Sequence, residues 1–133
     1  RPKQFHVVRE FKSELCIVAP KSVLEIDRAR LEKIQPMLLG DSCFFGQAVV
    51  QLSASLGIAS RGFEYLHSIE TILHCVSVGI GYSVMPRCLM EHHGLKAEVS
   101  IHPYAGKKNF SFYKVCLLSR KNSKLVREIS SYL

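Results

Sequence analysis

The sequence predicts an α/β fold with a central, mainly parallel sheet flanked by helices, and three observations carry that expectation. Stretches rich in β-branched and apolar residues alternate with stretches whose apolar residues recur at helical spacing; that order implies parallel strands joined by right-handed crossovers. Glycines stand where the helical stretches stop, at Gly57 and Gly79, the place where a left-handed residue closes a helix. Prolines stand at strand boundaries, at Pro20, Pro36 and Pro86, where a missing N–H does least harm to a ladder.

Phe5 to Val8 and Leu15 to Ala19 read as two strands joined by a polar turn at Lys12-Ser13-Glu14, with Pro20 breaking the second. Asp27 is placed to cap a short helix carrying Leu31 and Ile34, after which Pro36 opens the strand Met37-Leu38-Leu39. From Phe44 to Leu56, the residues Phe45, Ala48, Val49, Leu52 and Leu56 form a helical stripe that Gly57 ends. A strand around Gly62 to Leu66 leads into the most informative stretch, Ser68 to Arg87. There Ile69, Ile72, Leu73 and Val76 make one apolar face, Ser68 is a natural N-cap, and Glu70 puts negative charge where the helix dipole favours it. Gly79-Ile80-Gly81 forms the turn, and Tyr82 to Met85 reads as a short buried strand ended by Pro86. Ile101, a strand from Phe110 to Leu118 and a helix from Asn122 to Leu133 complete the pattern, with Pro103 to Lys108 expected to be a mobile loop.

At 133 residues and 47% hydrophobic content, the chain is long enough for one domain with a core and is not compositionally disordered. No apolar run approaches the roughly 20 residues of a membrane span, so no membrane partner is expected; the N-terminus lacks the pattern of a signal peptide. Five cysteines at irregular spacing, Cys16, Cys43, Cys75, Cys88 and Cys116, fit a reduced, cytoplasmic compartment better than a disulfide framework. A net charge of +7 invites a nucleic-acid reading. The charges are scattered, however, and the densest group, Lys107, Lys108, Arg120, Lys121, Lys124 and Arg127, reads as a loop and the solvated face of the last helix.

The run Thr71 to Pro86, together with Leu38 to Cys43, the helix end at Leu56-Gly57-Ile58, and Val115 to Leu118 followed by Asn122 to Leu133, resembles the effector-binding domains of LysR-type bacterial transcriptional regulators. Each motif alone is weak; their order and spacing carry the resemblance. It implies a periplasmic-binding-protein-like (type 2), Rossmann-like fold of two lobes joined by crossover strands. On that template residues 20–105 are the second lobe, and residues 1–19 and 106–133 are crossover strands and a remnant of the first. The resemblance further implies a homodimer and a small-molecule effector held in an inter-lobe cleft. It implies too that DNA is bound only through a winged helix-turn-helix N-terminal to the effector domain and outside this chain.

The loop Gly40-Asp41-Ser42-Cys43 at a helix start is the first candidate site. Unpaired N–H groups and the helix dipole favour anions there, and open α/β sheets bind ligands beyond the carboxyl ends of their strands. The family's cleft lies on the same side, which nominates Ser42, Cys43, Phe44 and Phe45; simple capping by Ser42 or Asp41 uses the same atoms and stays open. His67 and Ser68, on the next strand-to-helix loop, are candidates for the same cleft, against a surface histidine and a cap. Cys43 also matches the reactive cysteine of the family's peroxide-sensing branch, in which a dipole-lowered thiol pairs with a second cysteine. Here Leu52 holds the second position and Phe45 replaces the basic residue, which favours an ordinary thiol.

Cys88, His92, His93 and His102 lack two clean ligand pairs at zinc spacing and read as surface residues, so no metal is expected. Gly79-Ile80-Gly81 is not a dinucleotide fingerprint, and no nucleophile elbow, phosphate loop or paired carboxylates appear, so neither cofactor nor catalytic group is expected. A solute-binding protein of a transporter and a thiol-based redox sensor using Cys43 remain alternatives to the ligand-sensing regulator.

Overall fold

The computed structural model describes residues 6–40, 44–58, 62–105 and 112–119, together with the helical positions Lys124 and Glu128. The chain divides into two compact units, residues 14–113 and residues 1–13 with 114–133. Its elements are β1 (His6–Pro20), α1 (Arg28–Leu31), β2 (Gln35–Leu39), α2 (Phe44–Ser55), β3 (Glu64–Leu66), α3 (Ile69–Ser77), β4 (Gly81–Pro86), α4 (Cys88–Glu91), a 3-10 turn (Lys96–Glu98), β5 (Val99–Pro103) and β6 (Phe112–Ser119).

The sheet runs β3-β2-β4-β1-β5, and β6 also pairs with β1. Within it β2 lies parallel to both β3 and β4, the pairing that strand–helix alternation predicts. β1 is antiparallel to β4 and to β5, which makes the sheet mixed. The expected turn at Lys12-Ser13-Glu14 does not form, and β1 is one 15-residue strand. Its partners explain this, because Ile17 lies opposite Val84 on one side and His102 on the other. A strand whose neighbours both come from far downstream needs no local reversal.

The core follows from which faces are covered. Leu15 to Ala19 are all buried, and all six residues of β4 are buried as well; a strand with both faces covered reads as a continuous apolar run rather than an alternation. α2 contributes Ala48, Val49 and Leu52, and α3 contributes Ile72, Leu73 and Val76, each of the valine, leucine and isoleucine side chains worth about 1.5–3 kcal/mol on leaving water. Three hydroxyls in this core are satisfied: that of Ser83 donates to the Met37 carbonyl at 2.8 Å, and those of Tyr82 and Ser53 share a 2.7 Å bond. Since Ser53 Oγ already donates to the Val49 carbonyl, the Tyr82 hydroxyl is the donor between them.

Helix ends are chemically specified. Ser68 Oγ accepts the Thr71 N–H at 3.1 Å, and Asp27 accepts that of Arg30 at 2.8 Å. Both long helices end in paired back-bonds around a left-handed glycine. At α2 the Gly57 N–H reaches Ala54 and that of Ile58 reaches Ser53; at α3 Gly79 reaches Val76 and Ile80 reaches Cys75. Tyr104, in the stretch expected to be a mobile loop, is instead buried against the core.

Candidate functional site

Parallel pairing decides where chemistry can gather. Because β2, β3 and β4 run the same way, with Leu39 opposite Leu66 and Pro36 opposite Tyr82, their carboxyl ends share one edge of the sheet. The Gly40 N–H donates to the Leu66 carbonyl at 3.3 Å, tying the loop after β2 to the loop after β3, and Gly40 takes a left-handed φ of 64° to leave the strand. α2 and α3 both start from this edge, so two sets of first-turn N–H groups and two positive dipole ends lie along it.

Of the residues nominated from sequence, Ser42 and Cys43 lie outside the described residues. Phe44 and Phe45 are the first two positions of α2, on the shared edge. His67 is exposed on the loop between β3 and α3. Ser68 caps α3 and also lies 2.8 Å from the Thr71 hydroxyl, so its oxygen is occupied by local structure. The backbone thus brings Phe44, Phe45, His67 and Ser68 to one edge.

The edge holds one residue that sequence reasoning passed over. Arg87 follows the last residue of β4; its N–H donates to the Glu14 carbonyl at 2.7 Å, and its guanidinium lies 3.9 Å from the Glu14 carboxylate. Its side chain is 38% exposed, enough for a cation to meet a ligand. The signal was present in Pro86-Arg87: a charge directly after a fully buried parallel strand must emerge at that strand's carboxyl end. Beneath it, burial pushes the Cys16 thiol up to about 11, partly opposed by the Arg87 charge, so this thiol is inert at neutral pH.

His93 and His102 are tied into the fold. His93 Nε2 lies 2.6 Å from Glu70, and that hydrogen bond holds the Glu70 carboxyl below its usual range; His93 Nδ1 accepts the Leu95 N–H. His102 Nε2 donates to the Val23 carbonyl at 3.1 Å. Among the described residues no three metal-ligating side chains converge, and no helix is long and apolar enough to cross a membrane.

The family model of the LysR substrate binding domain matches residues 1–133. The uncharacterized HTH-type transcriptional regulator YusT of Bacillus subtilis (strain 168) is 24% identical over 123 residues, 92% of this chain and 40% of that protein. The chain therefore spans less than half the length of this curated relative. A reduced form of OxyR from N. meningitidis superposes with a TM-score of 0.65 at 21% identity, covering 98% of this chain and 64% of that one. The Synechocystis PCC6803 CcmR regulatory domain in complex with 2-PG gives a TM-score of 0.62 at 17% identity, covering 96% and 64%. At these identities the solved structures share the fold.

Proposed function

Because the chain belongs to the LysR substrate-binding-domain family, we propose that it is the ligand-sensing part of a bacterial transcription regulator, taking a small organic effector at the carboxyl edge of β2, β3 and β4. The observation that carries this reading is the convergence of two helix starts and Arg87 on one edge of the parallel strands. Two dipole ends and a guanidinium favour an anionic group on the effector, while Phe44 and Phe45 offer apolar surface to its body. Ser42 and Cys43 supply N–H and side-chain contacts at the start of α2, and His67 and Ser68 border the effector from the neighbouring loop. CcmR's regulatory domain, solved with 2-PG, supports a small-molecule effector for this fold.

Residues 20–105 constitute the second lobe of the effector domain, and residues 1–19 and 106–133 the crossover strands and a remnant of the first. The division of the chain near residues 13 and 113 supports that assignment. The regulator is a cytoplasmic homo-oligomer that meets DNA through a helix-turn-helix domain outside this chain; the relative's name, an HTH-type transcriptional regulator, supports the DNA part of that reading. The domain works by binding rather than catalysis: the effector stabilises whichever lobe arrangement it fits better, and only that differential affinity can reach the DNA-binding part. A thiol-sensing role for Cys43 is less well supported, since Leu52, at the second cysteine's position, is an apolar side chain only 8% exposed.

Thermal-shift measurements on the intact regulator with a panel of small carboxylic acids and amines test the reading. An acidic effector is expected to raise Tm by about 3 °C near saturation, and Arg87→Ala and Phe45→Ala to abolish the rise while leaving the unliganded Tm within a few degrees. A panel in which no acid shifts Tm, or a shift that survives both substitutions, overturns it.

A further inference from the structure

On the β5 side of the sheet, a cavity of about 640 Å3 lies within residues 14–113, walled by Ile17 of β1, Ile26, the second half of α2 and the end of β5. Its volume falls within the range of small-molecule sites. None of its nine lining residues is charged; Leu52, Ala54, Pro103 and Ala105 add to the apolar wall, and Gln51, Ser55 and Tyr104 supply the polar groups. Ser55 is spent on α2, its hydroxyl donating to the Leu52 carbonyl at 2.8 Å. Gln51 and Tyr104 are joined only by a long 3.3 Å bond from the phenol to the amide oxygen. The amide N–H groups of Gln51 thus have no partner among the described residues, and the phenol oxygen keeps its lone pairs.

We propose that this cavity is a second ligand site, specific for an uncharged ring compound bearing one carbonyl or hydroxyl oxygen. A ligand carbonyl accepts from the Gln51 amide, or a ligand hydroxyl donates to the Tyr104 oxygen, while the ring displaces water from the aliphatic wall. Carboxylates are excluded because no cation lines the cavity to offset their desolvation. Gln51 to Ser55 stand about 10–16 Å along α2 from its first residue, Phe44. The end of β5 shares the carboxyl edge, since β5 runs parallel to β4, but β5 stands three places from β2 in the sheet; the cavity is thus set apart from the Phe44–Phe45 end of α2, and both sites press on the same helix.

Saturation-transfer NMR on the intact protein, with benzamide and p-cresol as neutral probes, toluene as an apolar control and benzoate as the charged analogue, tests the proposal. Both neutral probes are expected to bind saturably at millimolar concentration, and benzoate to bind at least about tenfold more weakly. Ala54→Phe, at an exposed position of α2, fills the mouth and should abolish binding of both probes. Gln51→Leu should weaken benzamide about fivefold and leave toluene unchanged. Arg87→Ala should not alter benzamide binding, even where it abolishes the effector response. No saturable signal from either neutral probe overturns the proposal. So does benzoate binding as tightly as benzamide, or benzamide binding that survives Ala54→Phe but is lost in Arg87→Ala.

Discussion

Single side chains in this protein show how burial sets proton affinity. Cys16 has no exposed surface, and its thiol is pushed from 9.0 to about 11 in the folded chain. Tyr82 is displaced upward by burial, and Tyr104 is raised by burial as well. For each group the folded state holds its proton more tightly than the unfolded state. The associated stability is therefore complete below the unfolded pKa and is lost as pH rises toward the folded one. Urea titrations from pH 8 to 11 should show stability falling with rising pH, and Cys16→Ala should flatten that fall between pH 9 and 11 by up to about 1.4 kcal/mol per pH unit, one proton's worth. An unchanged slope in the variant would sink this account of Cys16.

At the scale of elements, the turn Gly79-Ile80-Gly81 joins two glycines that look alike in sequence and do different work. Gly79 sits at φ 87° with open space around it, so its demand is conformational, and Gly79→Ala should cost about 1–2 kcal/mol. Gly81 has no such backbone; a methyl group there would run into the Gln35 carbonyl and the Met37 thioether, because β4 closes against β2 at that point. Gly81→Ala should cost more, about 2–3 kcal/mol, and equilibrium denaturation that ranks the two variants the other way refutes the distinction. Helix caps, stripes and the parallel trio were legible in sequence because each rests on residues within a few positions of one another. β1 was misjudged at Lys12 to Glu14 because its partners lie far downstream. The Gln51–Tyr104 cavity left no trace because only the folded sheet brings α2 beside the end of β5. Of the candidate site, the sequence showed the strand-to-helix loops; Arg87 needed the direction of β4.

For the whole molecule, the division into residues 14–113 and the remainder makes a direct prediction. The larger unit contains β2 to β5, both pairings of β4, with β1 and with β2, and most of the buried side chains. Residues 14–113 expressed alone should unfold in one cooperative urea transition with a slope of about 1–2 kcal/mol/M, monitored by far-UV circular dichroism. A broad, sloping loss of signal would show that the unit depends on the rest of the chain. The placement of β1 also bears on biosynthesis. Leu15 to Pro20 carry no charge and lie opposite residues 83–86 and 99–103. With elongation at roughly 5–20 residues per second, this strand spends seconds outside the ribosome before either flank exists. It is the segment a holding chaperone would grip on the nascent chain, and a message broken before the codon for Val99 would release a product with one sticky edge unpaired.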